Sequence, residues 1–269
     1  MSDQEHESRD TDIPNLEHAP SEKEDIHTRK SNKTGLAGVF ETFIRRFRTL
    51  SFILLLTPVA LIFIFAFGFS CLPGVYLFQW IHGATAHWPQ FFHYLMLAMS
   101  LALGFYLYGL TLIFIVPLIN KLVVPRIKAW RGTWHSNNAI PWYIHNALTQ
   151  LVRYTFLDHI TPTPLNVLFF RMMGMKIGKG VIINTSNISD PCLITLEDYV
   201  TIGGSATLFA HYGQKGYLII SPVTIKKGTT IGLKASVMGG CTIGKHVLIK
   251  PHTCVLPKTV IEDNTTYSG

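Results

Sequence analysis

Between residues 49 and 120 this 269-residue chain has no Asp, Glu, Lys or Arg. Soluble domains carry about 25% charged residues, so a charge-free stretch of that length excludes an ordinary solvated surface along it. The deficit brings the whole chain down to 14% charged residues; elsewhere the composition is that of a soluble protein. Cysteine is scarce as well. Cys71, Cys192, Cys241 and Cys254 contain no CxxC pair, and they read as free thiols in a reducing compartment. No segment interleaves basic and aromatic residues as nucleic-acid modules do, so nucleic acid is not an expected partner. The start is acidic and the first apolar run begins late, which argues against a signal peptide.

What charge there is falls unevenly. Residues 1–34 hold nine acidic and five basic side chains, and the remainder holds seven acidic against eighteen basic. A basic body beside apolar spans suits an anionic lipid surface, and equally a phosphate-bearing small molecule. Residues 1–38 are polar, with too few apolar side chains to offset chain entropy, and are expected to be a disordered tail.

Residues 39–120 are expected to form a transmembrane helical hairpin. The run over 49–72 is long enough to cross about 30 Å of hydrocarbon, with a kink at Pro58, and a second run extends from about 92 to 120. Tyr76, Trp80 and Trp88 lie between them, an aromatic mix of the membrane–water interface. Two buried core helices of a soluble protein are the alternative. Arg45, Arg46 and Arg48 precede the first span and Lys121, Arg126, Lys128 and Arg131 follow the second. By the excess of positive charge on the inner side, both termini and everything after the hairpin face the cytoplasm. Residues 121–170 form a connector rich in Trp, Tyr and Phe. Its stretch 144–156 has helical apolar spacing, which fits an interfacial amphipathic helix or a core-packed one.

Residues 171–269 carry a period of six. Ile219, Ile225, Ile231, Val237, Ile243, Ile249, Val255, Ile261 and Tyr267 follow at equal steps, and Leu196, Ile202 and Leu208 keep the same step earlier. Small or modest side chains stand two residues before the later members, from Val223 through Ala235 and Cys241 to Thr265. Six matches neither the 3.6 of a helix nor the 2 of a plain strand. It fits a parallel β-helix with three short strands per coil, large aliphatics filling the prism and small residues near its corners. Gly228, Gly232, Gly240 and Gly244 suit the turns. The rhythm breaks twice: eleven residues separate Leu208 from Ile219, and thirteen separate Ile183 from Leu196. Interruptions in a regular solenoid are natural places for function.

The run PVTIKKGTTIGLKASVMGGCTIGKHVLIKPHTCVLPK resembles the last coils of hexapeptide-repeat acyltransferases of the maltose and galactoside O-acetyltransferase group. The longer stretch 130–269 resembles the membrane-associated C-terminal region of ε-poly-lysine synthetase-type peptide synthetases. The likeness there lies in Gly132 with its Trp-rich patch, Thr163-Pro164, Phe170-Arg171-Met172-Met173-Gly174 and Leu208-Phe209-Ala210-His211. The resemblance implies a left-handed coil, a homotrimer or larger pseudo-trimeric assembly, and no permanently bound cofactor. It implies transfer from an acyl-CoA or acyl-carrier thioester donor to a hydroxyl or amine acceptor, beside membrane lipid.

On this likeness His211 is the general base, and imidazole, which changes charge near neutral pH, suits that task. Asp190, Asn187 and Tyr212 fall on the acceptor side; a turn role is the plainer reading of Asp190. Gly232, Leu233, Lys250 and Lys258 fall at donor-contacting turns. Lys226, Lys227, Lys234 and Lys245 could face donor phosphates or simply solvent. Two departures affect the donor: Lys250 replaces a small residue, and the chain ends at Gly269, where the family continues with a Gly-x-Pro-Ala turn, so either the sequence is truncated or donor binding differs. Asp158-His159 is a further polar pair. A non-catalytic scaffold or accessory subunit is the rival reading. A zinc enzyme of the γ-carbonic-anhydrase kind would need His211, His246 and His252 together, yet the last two occupy the same slot of consecutive repeats and so leave the prism from different faces.

Overall fold

The computed structural model describes residues 28–269. Most of the expected tail, residues 1–27, lies outside the described residues. Helix α1 (Gly35–Arg46) begins within the stretch read as tail. Its buried Glu41 is satisfied from the helix itself and from outside it: it accepts from Arg45 at 2.8 Å and from Ser31 and Ser136 at 3.1 Å, and pairs with Lys33 at 2.9 Å.

Two long apolar helices follow, α2 (Arg48–Thr85) and α3 (Gln90–Val123). At a rise of about 1.5 Å per residue each exceeds about 50 Å, more than the hydrocarbon thickness alone requires. Their backbones come close where Gly74 meets Gly104: a Cβ on Gly74 would lie 3.1 Å from the Gly104 Cα. The inner face of α3, with Leu112, Ile113 and Val116, is buried. It packs against α4 (Ile140–Thr155) and α5 (Pro164–Met172), and the Phe156 ring fills the notch left by Gly109. The connector thus stands against the hairpin. The helical spacing of its middle part marks α4, whose buried residues include Trp142, His145, Leu148 and Val152.

From Lys176 onward, apart from one antiparallel hairpin, the strands are two or three residues long and visit three parallel sheets in fixed rotation. Registers place Ile183, Ile202, Ile231, Ile249 and Tyr267 in one column. Ile177, Leu196, Ile225, Ile243 and Ile261 form a second, and Leu208, Val237 and Val255 a third. Nearly all of these side chains are buried, each contributing roughly 1.5–3 kcal/mol over exposure. The arrangement fits a β-helix as the C-terminal domain.

The turns share one conformation. Gly228, Lys234, Gly240, His246, His252, Lys258 and Asn264, six apart, all have φ between +52° and +84°. Glycine adopts this region without strain, whereas each side chain costs about 1–2 kcal/mol. Hydrogen bonds to the neighbouring coil hold the others, as from the His246 N–H to the Lys227 carbonyl at 2.9 Å and the His252 N–H to the Leu233 carbonyl at 2.9 Å.

Both breaks in the rhythm are built features. The second is a hairpin of the strands His211–Gln214 and Tyr217–Ile220, turned at Lys215-Gly216 with both φ values positive, the two-residue turn that matches strand twist. The connector strand Trp130–Thr133 pairs antiparallel with Tyr217–Ile220. Ile219 therefore belongs to this hairpin and not to the coil, although it continues the step of six; the regular series resumes at Val223. In the first break Asp190 adopts φ +58° and opens a 3-10 turn, Pro191–Leu193.

Candidate active site

The two breaks meet. His211, the first residue of the hairpin, places Nδ1 at 2.5 Å from Asp190 Oδ2. Asp190 is wholly buried, and its other acceptor sites are also taken. The Trp142 indole N–H and the Asn146 amide donate to Oδ1 at 2.7 and 2.6 Å, and the Ala210 backbone N–H donates to Oδ2 at 3.0 Å. Burial alone would raise the Asp190 carboxyl, but the hydrogen bonds and charge supplied by His211 and Asn146 outweigh it and hold the group below its ordinary value. In the neutral form of the His211 ring, an ionised Asp190 keeps the proton on Nδ1, so that Nε2 carries the lone pair. Among the described residues nothing hydrogen-bonds to Nε2, and the side chain is 22% exposed. The ring is set between aromatic neighbours, Trp142 at 4.9 Å and Phe209 at 5.7 Å between centroids. The arrangement can accept a proton at one outward nitrogen while the carboxylate behind balances the charge that forms.

Behind this pair lies His145, 1% exposed. Its Nδ1 faces Asn120 Oδ1 at 2.9 Å, at the end of α3. Burial pushes it down to about 4 against the pull of Asp190, so it is neutral near pH 7.

The remaining expected residues are spread around the site. Asn187 accepts a hydrogen bond from Arg153 of α4. Tyr212 points away from Asp190 into a small cluster with Tyr217 and Ile219, and its hydroxyl is buried there. Gly232, Leu233 and Lys250 share one corner of the coil: the Gly232 N–H donates to the Ile249 carbonyl at 2.9 Å, and a Cβ on Gly232 would meet the Lys250 carbonyl carbon at 2.8 Å. Lys258 stands at another corner, in the column of His211: its N–H donates to the Gly239 carbonyl at 3.1 Å, and a Cβ on Gly239 would lie 3.0 Å from the His211 backbone nitrogen. The donor-side residues thus flank one parallel sheet from two corners. Asp158 accepts from Ser186, and the His159 ring packs on Phe105 at 5.1 Å. His246 and His252 sit at separate turns, and among the described residues no three His, Cys, Asp or Glu side chains converge as a metal site.

Trp142 and Asn146 escaped the sequence reading. Their spacing of four on an apolar-faced helix is the one signal that could have raised them, since it puts both on one side of α4.

No family model matches this chain. It is similar, at 23% identity over 151 residues, to a delta-poly-L-ornithine synthetase of Acinetobacter baumannii; the match covers 56% of this chain and 11% of that protein. Its structural neighbours are hexapeptide-repeat acetyltransferases. One from Vibrio cholerae O1 biovar eltor, solved with acetyl coenzyme A, shares 17% identity at a TM-score of 0.38, covering 46% of this chain and 81% of that one. A maltose O-acetyltransferase from Clostridium difficile 630 shares 20% at a TM-score of 0.36, covering 51% and 90%.

Proposed function

We propose that this protein is a membrane-anchored acyltransferase in which His211 acts as general base. The observation that carries the reading is the 2.5 Å contact from His211 Nδ1 to a buried carboxylate, which leaves Nε2 free to take a proton. An acceptor hydroxyl or amine gives its proton to Nε2 as its oxygen or nitrogen attacks the thioester carbonyl. The carbon–sulfur bond then breaks, and the proton passes from Nε2 to the departing thiolate. No acyl-enzyme forms. Asp190 is the positioning residue for the imidazole. Asn187 lies on the acceptor side, whereas Tyr212, buried with Tyr217 and Ile219, does not reach it; the donor thioester of CoA lies along the sheet flanked by Gly232, Leu233, Lys250 and Lys258.

In this reading the coil is left-handed and closed, and the chain assembles as a trimer. Helices α2 and α3 cross the membrane, with mean hydropathy of 2.7 and 2.1 over their most apolar windows. The arginines before α2 and the basic residues after α3 put both ends on the cytoplasmic side. The similarity to a poly-ornithine synthetase favours a second reading of the substrates, an aminoacyl thioester on a carrier protein and an amine acceptor. His211 has the same task in both.

The test incubates the detergent-solubilised full chain with labelled acyl-CoA, or with an aminoacyl carrier protein, and a panel of sugar, amino-acid and peptide acceptors. Transfer with thiol release is expected, and His211→Ala should lower it by about 10²–10⁴ with the fold kept. Equal turnover by the variant, or transfer to no acceptor from either donor, overturns the reading.

A further inference from the structure

A cavity of about 660 Å³ lies between α1, the first turns of α2 and the connector. Its wall is apolar, with Phe43, Phe52, Leu55, Ile140 and Ala147 among the lining side chains. Directly beside it is a second cavity of about 640 Å³ lined by Arg29, Arg45, Arg46 and Arg48. Arg48 borders both. Glu41 occupies Arg45, but among the described residues Arg29, Arg46 and Arg48 have no carboxylate partner. Ser51 lines the apolar cavity one turn after Arg48, and its buried hydroxyl has no hydrogen-bond partner. A hydroxyl buried in an apolar wall without a partner is costly, and a ligand oxygen would remove that cost. His135, on the same wall, is held below its ordinary value by burial and by the charges of Arg48 and Arg45.

An apolar slot, a lone buried donor and guanidinium groups without a carboxylate partner, joined through Arg48, match an amphiphile with an acyl chain, an ester and a phosphate. We propose that the two cavities form one binding site for an anionic phospholipid. An acyl chain fills the slot, an ester oxygen accepts from Ser51, and the phosphate is held by Arg29, Arg46 and Arg48, the geometry guanidinium groups favour. The site lies close to the candidate catalytic pair: Trp134 and Tyr143 of its wall pack on Trp142 at 6.1 and 4.9 Å, and Trp142 packs on His211. The binding itself does not require the chemistry assigned to His211.

The test titrates the full chain in detergent with dioleoyl phosphatidylglycerol and counts bound lipid by native mass spectrometry. One molecule per chain is expected to bind, at least tenfold more tightly than dioleoylglycerol, which lacks the phosphate, and than glycerol 3-phosphate, which lacks the chains. The double variant R46Q/R48Q should weaken it about a hundredfold, on the scale of two charge-assisted hydrogen bonds, and Ala147→Phe, which fills the slot, at least tenfold. His211→Ala should bind as the parent does, which separates this outcome from the acyl-transfer reading. Equal affinity for dioleoylglycerol means a merely apolar cleft, and equal affinity for glycerol 3-phosphate means a free phosphate site; either result overturns the proposal. So does failure of the lipid to bind, as when the acidic residues 1–27 hold the arginines. The ligand comparison on the parent protein keeps the proposal open to refutation should a variant not fold.

Discussion

His211 Nδ1 lies 2.5 Å from Asp190 Oδ2, although the two residues stand 21 positions apart in the chain. Each belongs to a segment that leaves the six-residue rhythm, and the carboxylate receives four donors in all. Asp190→Asn tests what that contact does. An amide in this place turns one NH₂ group toward incoming N–H donors, and the conflict costs about 1–3 kcal/mol of stability. Its other consequence is chemical. The amide donates to Nδ1, so the proton moves to Nε2 and the outward nitrogen ceases to be a base. We expect turnover to fall by about 10²–10⁴, with little change in KM and no recovery at higher pH. A variant that keeps full kcat would show that the carboxylate does not set the imidazole.

The donors behind Asp190 are separable. Trp142→Phe keeps an aromatic ring against His211 but removes the indole N–H that donates at 2.7 Å. A hydrogen bond to a charged group contributes about 1.5–3 kcal/mol. The expected loss is of that size in a denaturation midpoint series, with a smaller fall in kcat than Asp190→Asn produces. Asn146→Ala should act alike, and the pair should lose more than the sum of the singles, since each remaining donor then faces a less satisfied buried carboxylate.

How far the sequence reveals this depends on the range of the interaction. The column Ile231, Ile249, Tyr267 is legible because side chains six apart repeat one environment. The two breaks are legible for the same reason, and they flag His211 and Asp190. Ile219 misleads, because the hairpin strand returns to the step of six by coincidence of its length. Trp142 and Asn146 reach Asp190 across 48 and 44 residues from a helix with its own periodicity, and no local pattern announces such a contact. Arg45 reads as a positive flank of the first span, yet it is buried, since its charge is matched by Glu41 at 2.8 Å.

Acid should weaken the protein through His145 before it does so through Asp190. The His145 ring has an ordinary value of 6.5 and is pushed down to about 4 by burial. Protonation would also place a second N–H at Nε2, which is buried without a partner. Between these two values the unfolded chain binds the proton and the folded chain does not, so stability is full above pH 6.5 and declines as pH falls toward 4. The whole window is worth about 3 kcal/mol. Asp190 is held below its ordinary 3.8; its contribution is present above that value and is lost only at lower pH. In denaturant titrations from about pH 7.5 to about 4.5, spanning most of that window, His145→Gln should flatten the slope. An unchanged slope would place the acid sensitivity elsewhere.

The seam between hairpin and connector offers a test that does not depend on catalysis. Phe156 is buried, with its ring against the Gly109 backbone; a Cβ built on Gly109 would lie 2.1 Å from that ring. Gly109→Ala therefore forces the ring out, and Phe156 also contacts Phe105 and Tyr106 at 5.7 and 6.3 Å. Overpacking of this kind costs about 1–3 kcal/mol, and Phe156→Ala, which leaves a cavity, about 3–5 kcal/mol. Were the two effects independent they would add. Here the methyl group introduced by Gly109→Ala would occupy part of the space the ring vacates, so the double variant should be more stable than the sum of the singles by about 1 kcal/mol or more. Thermal unfolding of the four proteins in one detergent measures the coupling. Simple additivity would mean that α3 and the connector do not meet at this point.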